Sequence, residues 1–162
     1  MKKYVAYGIG AALVDTEIKV QDEELAQMNV DKGMMPLRDE ARQAQLLAHL
    51  QGHLVKASHA SGGSAGNSMI ATAQFGGPTF MSCKVANDAD RDIYIADLEA
   101  AGGDHCLNGE RANGTTGKCL VLITPDAERS MNTFLGISET LSVEDVHAAA
   151  IAASQYLYIE GY

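Results

Sequence analysis

The residues best placed to do chemistry lie in the stretch Ser61 to Pro78, SGGSAGNSMIATAQFGGP, and in Asp15 well upstream of it. Gly62 and Gly63 permit backbone conformations closed to other residues and let a ligand approach the main chain. Ser64 or Asn67 then suits the cap of a helix, with Ser68 to Phe75 as its body and Gly76 and Gly77 as its stop. The N-terminus of such a helix carries free N–H groups and partial positive charge, so a ligand there should offer acceptors. Two chemistries fit. A phosphate cradle would use the N–H groups directly, but G-x-x-x-x-G-K-[ST] is missing and no lysine follows the glycines. A polyhydroxylated ligand would use the Asn67 amide, which both donates and accepts, together with backbone at Gly63. A glycine turn that only tightens the entry to a core helix is the plain structural alternative. Asp15 stands among small residues at a loop or strand end, where a carboxylate either caps a turn or holds hydroxyl groups.

Other reactive residue types are less organised. Cys83, Cys106 and Cys119 are an odd number with no C-x-x-C pair, which disfavours a disulfide framework or a tetrahedral zinc site and points to a reducing, cytoplasmic compartment. His49 and His53 have the i, i+4 spacing of a metal pair, but no third ligand suggests itself and a solvated helix face is expected. GIGAAL opens like the dinucleotide fingerprint G-x-G-x-x-G, yet Leu13 replaces the third glycine and a strand pattern follows where a helix is required.

Composition sets the frame for these residues. A chain of 162 residues with 46% hydrophobic content can bury one domain core. The net charge of -9 leaves no basic stripe for a nucleic acid backbone. No apolar run approaches the roughly 20 residues that span a bilayer, and MKKYVAYGIGAALVD reads as a buried first strand, not a signal peptide.

Along the chain, strand-like and helix-like segments alternate. Strands are expected at Lys3 to Ile9, Glu17 to Val20, Leu54 to Ala57, Thr79 to Val85, Cys106 to Arg111, Thr116 to Thr124, Glu128 to Phe134 and Tyr156 to Ile159. Helices are expected at Asp22 to Asn29, Arg38 to Leu50 with Gly52 as stop, from an Asn87 or Asp88 cap to Ala101, and from Ser142 to Ala153. Asp31 to Leu37 (DKGMMPL) suits an edge strand, since Pro36 cannot donate to a ladder, and Met34 and Met35 are placed to cover something mobile. Such alternation predicts an α/β fold with a mainly parallel, doubly wound sheet and helices on both faces. The unmatched strands would form a small accessory sheet.

GGSAGNSMIATAQFGG, the strand after it and VANDADRDIYIADLEAAG resemble the first signature region of the ribokinase, or PfkB, family of carbohydrate kinases. GIGAALVD, TTGKCLVLITPDAERSM and YLYIEGY match in the same order, and the set is most similar to adenosine-kinase-like members. The resemblance implies a three-layer ribokinase-like fold with a small β lid near residues 15–20, 31–38 and 105–118. It implies ATP-dependent phosphorylation of a primary hydroxyl of a sugar or nucleoside, with magnesium. Asp15, Gly63 and Asn67 fall where the family holds the sugar. Arg129 and Met131 lie in the segment that reaches the substrate from the other half of the sheet. Met34, Met35 and Leu37 match lid positions, and Ala11 replaces an asparagine found in several members.

No stretch resembles the family's GAGD motif, which carries the catalytic base and anion hole. The resemblance therefore implies the substrate-binding N-terminal half of a kinase, inactive without a C-terminal half that brings the base, ATP and magnesium. No catalytic or metal-binding residue is assigned here. A homodimer through the lid or an exposed sheet edge is expected, and a non-catalytic sugar- or nucleoside-binding module is the alternative function.

Overall fold

The computed structural model describes residues 2–54, 57–107 and 112–161. In chain order it contains β1 (Tyr4–Ile9), β2 (Leu13–Lys19), α1 (Asp22–Gln27), α2 (Glu40–His49), α3 (Gln51–Leu54), β3 (Ser58–Gly62), α4 (Ser64–Gln74) and β4 (Thr79–Ser82). There follow α5 (Ala89–Ala101), β5 (Asp104–His105), β6 (Gly117–Ile123), β7 (Arg129–Phe134), α6 (Ala148–Ala152) and β8 (Ser154–Ile159).

Among the described residues the strands form two sheets of four. The first, ordered β5-β4-β1-β8, is parallel throughout. Its central strand, YVAYGI, is apolar on both sides because helices cover both faces. Ala6 and Met81 pack with Met69 of α4 and Leu98 of α5, whereas Tyr7 and Phe80 pack with Ala150 of α6. The Tyr7 and Phe80 rings stack at 5.4 Å, and the Tyr7 hydroxyl accepts from the His147 amide at 2.8 Å. The architecture is α/β and doubly wound, as expected.

The second sheet, ordered β3-β2-β6-β7, is mixed: β2 and β6 run parallel, while β3 and β7 pair antiparallel with them. In LVDTEIK the residues Thr16 and Ile18 face inward and Asp15, Glu17 and Lys19 face the other way. Ile18, Leu120 and Leu122 form a core with Leu25 of α1 and Leu46 of α2.

Several expectations are corrected. The accessory sheet is as wide as the main one, and the apolar run LVLI of β6 belongs to it, because β6 pairs with β2 along its whole length. Of the lid positions, 15–20 lies mostly within β2, and 105–118 divides between β5 in the parallel sheet and the start of β6, with 108–111 outside the described residues. Asp31 to Leu37 forms no regular strand. Proline interrupts its donors, and it attaches to β7 through Met34 and Pro36 carbonyls, which accept from the Met131 and Thr133 amides, and a bridge at Leu37. Helix α2 ends at His49, and α3 runs through Gly52, the expected stop, to Leu54, the first residue of the expected strand Leu54 to Ala57, of which Val55 and Lys56 lie outside the described residues. The helix expected from Ser142 breaks after the turn Val143–Asp145, which a Ser142–Asp145 capping box completes locally. The His147 amide turns to Tyr7, and helix resumes only at Ala148. Asp88, not Asn87, caps α5 by accepting from the Arg91 amide.

Candidate functional site

The two sheets meet where β1 passes into β2, β3 passes into α4, and β8 ends. In the parallel sheet the chain order reverses at β1, with β4 on one side and β8 on the other. Crevices at the carboxyl ends of strands at such a reversal are the usual ligand sites of open α/β sheets. A cavity of about 390 Å³ lies here.

One wall is the outward face of the mixed sheet. It presents Asp15 from β2, Cys119 from β6, and Arg129, Met131 and Thr133 from β7. Asp15 and Cys119 are partners in the β2–β6 register, as are Cys119 and Thr133 across β6–β7, so these side chains stand in a row on one face. The Thr133 hydroxyl donates to Cys119 Sγ at 3.4 Å. Burial pushes the Cys119 thiol up to about 11, so it sits in the floor as a neutral group.

The opposite wall is the first turn of α4, with Gly63, Ser64 and Asn67. Gly63 itself caps this helix, with φ 82°, and the helix begins at Ser64, four residues before the expected body. A side chain on Gly63 would meet the Ala11 carbonyl at 2.7 Å, so both conformation and space require glycine. The Gly63 carbonyl accepts from the Asn67 amide at 2.9 Å, which sets Asn67 one turn inside the helix with its side chain exposed.

The end of β8 closes the cavity with Glu160 and Gly161. Glu160 Oε2 accepts from the Ala65 amide at 2.8 Å, so a carboxylate of the chain itself already occupies the positive end of α4. This corrects the expectation of an open helix terminus and makes a phosphate cradle there unsuitable. Sequence reasoning overlooked Glu160. The available signal was a charged residue directly after the apolar run YLYI, at the end of a strand beside β1.

Asp15 is half-buried, and burial raises its carboxyl to about 6; the guanidinium of Arg129 opposes the rise and Glu17 adds to it. At neutral pH it remains largely ionised, an acceptor for hydroxyl groups with the positive charge of Arg129 on the same sheet face. Met35 reaches the cavity from the segment attached to β7, whereas Met34 and Leu37 stay exposed at 58% and 50% and do not line it. The structure thus brings Asp15, Gly63, Asn67, Arg129, Met131 and Met35 together, and leaves Met34 and Leu37 on the outside.

Among the described residues no group of three or more His, Cys, Asp and Glu is arranged to hold a metal ion. The expected solvated face at His49 and His53 is half right: His53 bonds Glu24 at 2.8 Å and the Lys19 carbonyl at 3.1 Å, tying α3 to α1 and β2. The magnesium that the resemblance implies finds no such group among the described residues. No helix of the described residues is long and apolar enough to cross a membrane.

The profile described as pfkB family carbohydrate kinase matches residues 28–162. Among solved structures, a probable sugar kinase from Rhizobium etli CFN 42 is 34% identical with a TM-score of 0.87, covering 98% of this chain and 47% of that one. Adenosine kinase from Sinorhizobium meliloti is likewise 34% identical, with a TM-score of 0.86 over 97% of this chain and 47% of its own. Adenosine kinase from Schistosoma mansoni, solved with adenosine, shares the fold at 21% identity and a TM-score of 0.83, over 98% of this chain and 47% of its own. No curated protein matches significantly. The chain spans about half the length of these structures, and the profile covers most of it: the chain belongs to the pfkB family of carbohydrate kinases.

Proposed function

We propose that residues 1–162 form the substrate-holding part of an ATP-dependent phosphotransferase that acts on a primary hydroxyl of a sugar or nucleoside. The observation that carries this reading is the convergence, in one cavity, of Asp15, Gly63, Asn67, Arg129 and Met131 from widely separated segments of a pfkB family chain. Each has a task that its chemistry suits. Asp15 accepts hydrogen bonds from sugar hydroxyls, and the Asn67 amide donates and accepts. Gly63 lets the sugar approach the main chain. Met131 and Met35 supply an apolar wall, and the segment Met34 to Leu37 covers the bound substrate and excludes water. Arg129 places a positive charge beside the hydroxyl to be phosphorylated, where negative charge develops.

The base and the nucleotide are expected from residues outside 1–162, since a positioned base must lie within hydrogen-bond reach of the attacking hydroxyl and Asp15 serves better as a holder than as that base. A self-associating partner surface is also proposed. β8 is the outer strand of the parallel sheet, with Tyr156, Leu157 and Ile159 at least half exposed, and an unpaired apolar edge templates association. A coupled assay for ADP release tests the division of labour: residues 1–162 should release none with ATP, magnesium and adenosine or ribose. Sugar-dependent turnover by residues 1–162 alone would overturn it.

A further inference from the structure

Gly62 differs from Gly63 in why it is a glycine. Its backbone is not among the positive-φ positions, so any L-residue could adopt its conformation. What forbids a side chain is space. A Cβ built on Gly62 would overlap the carboxyl group of Asp15, and even the farther oxygen, Oδ2, would be only 2.5 Å away. No other atom comes nearer. Gly62 is buried at the end of β3, opposite Leu13 in the antiparallel β2–β3 register, and Asp15 lies diagonally across, opposite Ala60. β3 therefore presents small residues, Ala60 and Gly62, beside the carboxylate, and the acid lies against the main chain of β3 at Gly62.

We propose that Gly62 is a positioning residue for Asp15: by lacking a side chain it seats the Asp15 carboxylate against β3 and holds it facing the sugar hydroxyls. The inference rests on the reading of Asp15 as the hydroxyl-holding group, but the coupling of the two residues is testable without any ligand. Gly62 is thus a determinant of the site through Asp15, whereas Gly63 acts through the helix cap and the Ala11 carbonyl. The two glycines of one dipeptide serve two different walls of the cavity.

The experiment is a mutant cycle read by thermal unfolding and by the titration of Asp15. Gly62→Ala should lower the melting temperature by roughly 2–4 °C, the low end of overpacking, since the group that must give way is the end of one side chain. Asp15→Asn keeps the same bulk over Gly62, so the same drop should persist in that background. Asp15→Ala vacates the space, so Gly62→Ala should then lower the melting temperature by less than a quarter as much. In the Gly62→Ala single variant the Asp15 carboxyl, followed by carbon NMR, should titrate below the wild-type midpoint, because it is pushed toward solvent. A drop of equal size in the Asp15→Ala background, or an unmoved Asp15 titration, overturns the proposal. If the cycle behaves as expected but adenosine and ribose bind equally to wild type and Asp15→Ala, the seat is real and the substrate reading fails instead.

Discussion

The two sheets of this chain use the same number of strands for different ends. At the centre of the parallel sheet β1 and β4 are largely buried on both faces and Tyr7 is wholly inaccessible, while the outer strand β8 is exposed along most of its length. The mixed sheet buries one face under α1 and α2 and leaves the other to Asp15, Glu17, Lys19 and Arg129. One is a frame and the other a working surface. The difference teaches where substitutions should act: changes in the frame should be read in stability, and changes on the open face of the mixed sheet in binding, with the cavity at the seam depending on both.

The largest expected effect is in the frame. Tyr7→Ala removes a fully buried ring stacked on Phe80 and the acceptor for the His147 amide. It should destabilise the fold by about 3–5 kcal/mol, lowering the melting temperature by at least roughly 6 °C. Glu17→Ala, on the open face of the mixed sheet, should stay within about 0.5 kcal/mol of wild type in the same denaturation experiment. Equal losses at the two positions would break the comparison.

Next comes Asp15, where stability and function should move in opposite directions. In the fold its carboxyl is raised from 3.8 to about 6, so between those values the folded state binds more protons than the unfolded chain. The stabilisation linked to that proton is present below about pH 4 and is lost as pH rises through 6. Asp15→Asn should therefore unfold at a higher temperature than wild type at pH 7, by on the order of 1 kcal/mol after allowance for solvent screening, and match it near pH 3. Melting curves across pH check the sign. The same substitution should weaken sugar binding about tenfold, the scale of one hydrogen bond to a charged group.

An intermediate effect concerns the edge of the frame. Residues 1–162 should self-associate through β8, and Leu157→Lys should return the protein toward monomer in light scattering, since a charge on an edge strand discourages pairing. Monomer at high concentration without the substitution contradicts the proposed edge contact. The smallest effect is expected at Met35, which is 51% exposed yet lines the cavity. Met35→Ala should leave the melting temperature within about 1–2 °C and weaken nucleoside binding only a few-fold, as partial loss of one apolar wall implies.

Much of the frame was legible because its signals are local. The run YVAYGI, a cap at Asn87 or Asp88 and a small-residue helix after Gly63 follow from composition and spacing, although the choice of Asp88 and the start of that helix at Ser64 do not. The partition of strands between two sheets was not, because LVLI in β6 and the stretch from Thr79 that forms β4 both read as central strands and pairing is decided by distant partners. At the site, Asp15, Gly63 and Asn67 stand in motifs and were nameable from the chain alone. Cys119 was missed as a cavity residue since nothing near it in sequence reveals what it faces, and Glu160 because a charge after YLYI signals a strand end but not the helix terminus it meets. The role of Gly62 was hidden for a related reason: a glycine required for space looks the same in sequence as one required for conformation, and only the Asp15 carboxyl above it tells them apart.

The most direct test of the central claim is an amide NMR titration of residues 1–162 with adenosine and with ribose. Binding with a dissociation constant on the order of 1 mM or tighter, with shifts concentrated at Asp15, Gly63, Asn67 and Met131 and lost in Asp15→Ala, is the predicted result. Shifts clustered elsewhere, for instance around Lys84 and His147 at the far end of β4, or an unchanged response in Asp15→Ala, would contradict the account.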